Sequence, residues 1–186
     1  MLKKIFVLVL IFSGICHWGG CNRNSLPDDL PKLVPTTINV TQEGKPLANA
    51  LVSLSPIDMN TKWSAVGRTN IDGKAQMSTN GMYDGVTAGK YKVVILKEEA
   101  EKLPDPYEGA PDPKTDMDKY QEWYMKNEAQ IASMQRRQAK VFTFVEGKYT
   151  FAETTPLEIE ITDNVHKYNI DAGKIVKIEL KDNKNR

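Results

Sequence analysis

The sequence predicts a mainly β fold, a single antiparallel sandwich of roughly seven strands with one inserted loop and helix. Apolar and polar residues alternate at period two through most of residues 36–98 and 141–180, the mark of strands with one buried face. Turn residues punctuate those runs, as in Gln42-Glu43-Gly44-Lys45-Pro46 and Asn70-Ile71-Asp72-Gly73. Only the segment 99–140 abandons the alternation.

The N-terminus is of another kind. Met1-Leu2-Lys3-Lys4 is a short positive start, and Ile5 to Ile15 is apolar. That stretch is too short to span a bilayer as a helix but suits a secretory signal, expected over residues 1–20. Residues 21–35 are expected to be a tether, because Pro27, Pro31 and Pro35 disfavour a helix and no alternation replaces it.

The sandwich is expected over 36–182. Ile38 and Val40 alternate with Asn39 and Thr41, and Val52 with Leu54 marks a second strand over 51–55. Lys62 to Thr69 reads as a third, carrying Trp63 and Ala65. Asp72-Gly73 is the clearest hairpin signal, since this pair tolerates the positive φ of tight turns. Lys74 to Ser78 is its return strand, with Ala75 and Met77 inward, and the glycines between 81 and 89 mark a loop. Lys90 to Lys97 is rich in β-branched residues and is expected to be a central strand. Further strands follow on Val141/Thr143/Val145, on Leu157/Ile159/Ile161, on Val165 to Ile170, and on Val176/Ile178/Leu180.

Within the insert, Leu103 to Pro113 holds four prolines and reads as an extended loop. A helix is expected over 115–137, with Thr115 and Asp118 as a capping box. Met117, Tyr120, Tyr124, Ile131 and Met134 recur at helical spacing, and Trp123 widens the stripe. That stripe either packs on the sandwich or, with Tyr120, Trp123 and Tyr124 exposed, forms an aromatic platform for a sugar or a partner protein. Trp63, Tyr83 and Tyr107 are further candidates for the platform.

Two resemblances rest on these residues. Gly19-Gly20-Cys21 after the apolar stretch resembles the lipobox of bacterial lipoproteins, although Trp18 stands where Leu is usual. The resemblance implies that Cys21 is acylated and becomes the first residue. Cys16, preceded by Ile15, is the competing site. Processing at Cys21 removes Lys3 and Lys4, taking the formal charge from +1 to −1, and leaves His166 as the single histidine. Asn22 in the next position, by the sorting rules of such lipoproteins, favours the outer membrane over the inner.

The body is similar to carboxypeptidase regulatory-like domains, which are transthyretin-like Greek-key sandwiches. The likeness lies in Val40 to Val52 with its Gly44-Lys45-Pro46-Leu47, in Thr69 to Lys74, in Ala88 to Val93, and in Lys148 to Ile159 with its Thr155-Pro156-Leu157. Asn70 replaces the usual Asp and Ala88 the usual Pro.

Several functions are disfavoured. Twenty-five basic against 24 acidic residues give no excess for nucleic-acid binding. Without a free thiol or a second histidine, the processed chain lacks the groups for Cys–His catalysis or a multi-histidine metal site. Glu158 and Glu160 share a strand face and read as its solvated side. The expectation is a non-catalytic envelope lipoprotein without cofactor, held to the membrane by its lipid, with a protein or a glycan as partner. The alternative is a carbohydrate-binding module using the exposed aromatics.

Overall fold

The computed structural model describes residues 27–58 and 61–180. The expected signal peptide, Cys16, Cys21 and the first part of the tether lie outside the described residues. The β-rich body begins at Pro31.

It opens with β1 (Leu33–Val34), β2 (Thr37–Gln42), β3 (Lys45–Pro46) and β4 (Leu51–Pro56). Next come β5 (Ala65–Arg68), β6 (Lys74–Gln76), β7 (Ser78–Thr79), β8 (Tyr83–Asp84) and β9 (Val86–Thr87). The long β10 (Gly89–Leu96) leads through β11 (Glu98–Ala100) to the helix α1 (Met117–Gln135). The chain ends in β12 (Val141–Thr143), β13 (Glu158–Ile161), β14 (Lys167–Asp171) and β15 (Ile178–Leu180).

These strands build a mainly β body with several antiparallel sheets. One sheet has six strands in the order β13-β10-β4-β5-β7-β8. A second has β2 at its centre, with β14 along one edge and both β3 and β6 along the other. Ile38, Val40, Ala75 and Ile170 of the second sheet share one buried cluster with Val52, Leu54, Tyr91, Val93, Ile95 and Ile161 of the first. Two sheets facing across one core are consistent with a β-sandwich. Two smaller sheets, β11-β12-β15 and β1-β9, complete the ladders among the described residues.

Several strands differ from expectation for identifiable reasons. Leu33–Val34, expected in the tether, pairs with β9, and Val34 is buried; the run was too short to show an alternation. Residues 81–89, expected to be a loop, contain β8 and β9, whose two-residue lengths give no period to read. The expected return strand after Gly73 splits into β6, which pairs with β2, and β7, which pairs with β5. The turn itself closes by Asn70 N–H to the Lys74 carbonyl and Gly73 N–H to that of Asn70. Gly73 alone takes the positive φ, 74°, while Asn70 Oδ1 accepts from the N–H groups of Asp72 and Lys74.

Among the described strands, β14 departs from the antiparallel expectation and lies parallel to β2, Lys167 opposite Thr37 through Asp171 opposite Thr41, and an isolated parallel bridge joins Ser78 and Gly85. The C-terminal strand, read from Val176, Ile178 and Leu180 on one face, leaves Ile178 and Leu180 exposed, and among the described residues β15 pairs with β12 alone. Alternation marks a two-faced strand without stating which faces meet a second layer.

Candidate functional site

The insert grows from a short antiparallel ladder. Glu98 faces Thr143 and Ala100 faces Val141 across β11 and β12, and Glu101 N–H donates to the Lys140 carbonyl (2.6 Å). Beyond this base the chain forms the proline-rich loop and then α1.

The helix starts two residues later than expected because Asp116, rather than Thr115, caps it. Asp116 Oδ1 accepts the Lys119 N–H at 3.1 Å, filling one of the donors that a helix start leaves open. Thr115 Oγ1 instead donates back to the Asp112 carbonyl. The Lys119 side chain and N–H together hold the Asp116 carboxyl below its usual range. Lys126, one turn along from Glu122 and 2.6 Å away, does the same for that carboxylate.

The apolar stripe of α1 is divided. Ile131 is its one buried residue and borders a hollow of about 280 Å³ with Trp123, Met134, Pro104 and Pro106. Gln135 Nε2 donates to the Tyr107 hydroxyl at 2.9 Å, so loop and helix are tied along this side. The helix therefore packs on the proline-rich loop of its own insert. Tyr120 and Tyr124 stack on each other, centroids 6.3 Å apart at 28°, and with Gln121 and Met125 border a separate hollow of about 370 Å³. Tyr124 and Met125 are exposed.

Tyr120, Trp123, Tyr124 and Trp63 are thus not one surface. Tyr120 and Tyr124 form a pair, Trp123 faces the loop, and Trp63 lines neither hollow. Trp63 lies half-buried before β5 with Lys62 Nζ 5.3 Å from its ring centroid, a cation–π contact. Of the other candidates, Tyr83 is half-buried in β8 and Tyr107 is engaged with Gln135.

Chemistry-bearing side chains are engaged elsewhere. His166 Nδ1 lies 3.0 Å from the Pro35 carbonyl oxygen, and Glu158 is ion-paired with Lys92. Among the described residues no group of three or more His, Cys, Asp or Glu could hold a metal ion. No described helix is long and apolar enough to cross a membrane.

A third concavity, of about 540 Å³, lies on the outer face of the β2 sheet and includes Asn39, Lys74, Gln76 and Lys167. None of these positions is a candidate site residue on sequence alone. Their convergence depends on pairing between strands far apart in the chain, which alternation within each strand does not encode. Family models, curated proteins and solved structures give no match to this chain.

Proposed function

We propose that the chain is an exported envelope lipoprotein, acylated at Cys21, whose β body serves a structural or protein-interaction role without catalysis. The observation that carries this reading is the order of parts. A positive start and a short apolar run lead to Gly20-Cys21, and a short proline-containing segment leads to a folded β body from Pro31. Acyl chains stabilise membrane attachment by about 0.8 kcal/mol per buried methylene, so two or more hold firmly.

The body is read as a transthyretin-like, carboxypeptidase regulatory-like Greek-key sandwich. Three of the motifs behind that likeness lie at turns or strand starts, which supports the reading: Gly44 is in the turn between β2 and β3, Thr69 to Lys74 leads through a turn into β6, and Gly89 opens β10. No cofactor enters this reading. Labelling of growing cells with an alkyne fatty acid tests the anchor: label is expected on the wild type and lost in Cys21→Ala. Label retained in that variant removes Cys21 as the site.

The second reading is a carbohydrate-binding module. The stacked Tyr120–Tyr124 pair, with Tyr124 exposed and Tyr120 half-buried, favours it, since sugar rings pack on aromatic faces. On this reading Tyr124→Ala abolishes binding to a neutral glycan array, and an unchanged array profile refutes it.

A further inference from the structure

The outer face of the β2 sheet carries a different kind of site. Ile38, Val40, Ala75 and Ile170 point to the core, so Thr37, Asn39, Lys74, Gln76 and Lys167 point away from it. Register then sets Thr37 between Gln76 and Lys167, and Asn39 between Lys74 and Asn169. Asn39 Nδ2 donates to Asn169 Oδ1 at 2.8 Å, which fixes the amide floor. Arg68 at the end of β5 and Asn70 in the following turn enclose this floor.

Charge is separated here. Arg68, Lys74 and Lys167 reach one hollow from three different strands, and no carboxylate lines it. Arg68 Nη1 donates to the Asn49 carbonyl, and among the described residues none of the three cations is ion-paired. This happens in a chain whose 25 basic and 24 acidic residues nearly balance. A smaller hollow of about 260 Å³ shares Thr37, Gln76 and Lys167 and continues to His166, with Asp84 among its lining. The two make one extended groove.

We propose that this groove binds an acidic oligosaccharide. Its carboxylate or sulfate groups are held by Arg68, Lys74 and Lys167, and its hydroxyls by the amides of Asn39 and Gln76 and the hydroxyl of Thr37. Cations fix an oxyanion by charge-assisted bonds, while neutral amides and hydroxyls exchange bonds with a sugar's hydroxyls. No Trp, Tyr or Phe lines either hollow, so the stacking that would hold a neutral sugar is missing. The site is independent of the lipid anchor and separate from the Tyr120–Tyr124 pair.

The test is titration of the full chain, purified in mild non-ionic detergent and ¹⁵N-labelled, followed by NMR and calorimetry. The probes are an oligogalacturonate, a heparin-derived oligosaccharide, neutral maltotetraose and oligoglutamate. One or both acidic oligosaccharides are expected to bind at low ionic strength, to shift the Thr37 and Asn39 amides, and to weaken as salt screens the charges. A Lys74→Gln/Lys167→Gln variant is expected to lose about tenfold or more in affinity. Both lysines are exposed, so its melting temperature should match the wild type; if it does not, Arg68→Gln serves in its place. A carboxylate preference is read from oligogalacturonate, a sulfate preference from the heparin fragment. Absence of binding by both, equal binding of maltotetraose, tighter binding of oligoglutamate, or affinity unchanged in the variant overturns the proposal.

Discussion

Thr69, just past the end of β5, is a buried polar residue. Its Oγ1 donates to the Leu47 carbonyl at 2.6 Å and accepts the Ala50 N–H at 2.8 Å, joining the segment before β4 to the end of β5. Thr69→Val keeps the volume but strands both backbone groups, so a loss of about 1–3 kcal/mol is expected in a urea titration. Tyr91 is the matching case in β10: its hydroxyl donates to the Thr87 carbonyl at 2.9 Å and shares a second bond with Thr87 Oγ1. Burial raises the phenol above its ordinary 10.0, with the Thr87 bond opposing. The unfolded chain therefore ionises first. The stability tied to the neutral phenol is full below about pH 10 and is lost as pH rises through the raised native value. Tyr91→Phe should cost about 1 kcal/mol near neutrality, and its gap from the wild type should narrow in denaturant titrations at alkaline pH. A gap independent of pH would show that Tyr91 ionises alike in both states.

The turns show what can be read locally and what cannot. Gly73 has φ 74° and Gly44 φ 75°, but a Cβ on Gly73 would stand 2.5 Å from the Val40 carbonyl oxygen, whereas one on Gly44 meets nothing within 4 Å. Gly44→Ala should therefore cost only the left-handed backbone penalty, about 1–2 kcal/mol. Gly73→Ala adds a clash with backbone and should cost more, and thermal melts of the two variants should rank them so. The Asp72-Gly73 signal correctly marked a turn, because φ and side-chain capping are properties of adjacent residues. It did not say that β6 would leave β5 for β2, because strand partners are chosen by the whole core. The same limit divided the aromatic stripe of α1. Helical spacing placed Trp123, Tyr120 and Tyr124 near one another, while only the course of the proline-rich loop decided that Trp123 is covered. The basic groove was illegible for a related reason, since Lys74 and Lys167 converge through partners in β2.

At the level of the whole molecule, the insert is a self-contained annex. It leaves and rejoins the body through the β11–β12 ladder, and its helix buries Ile131 in company with its own loop. Replacing residues 102–139 by Asn-Gly should therefore leave the body's melting temperature unchanged or slightly raised, because a shorter loop costs less closure entropy. A large drop would mean that the insert supports the core. The parallel strand is the opposite case. β14 pairs with β2 across 130 residues of chain, and Asn39 and Asn169 meet at that separation. During synthesis, β2 emerges early and waits for nearly the entire polypeptide before its long edge finds a neighbour. Such a late, distant closure makes for slow folding. A chain cut short before Lys167 would keep Thr37 to Thr41 open as an unpaired strand edge, a template for chain-to-chain association.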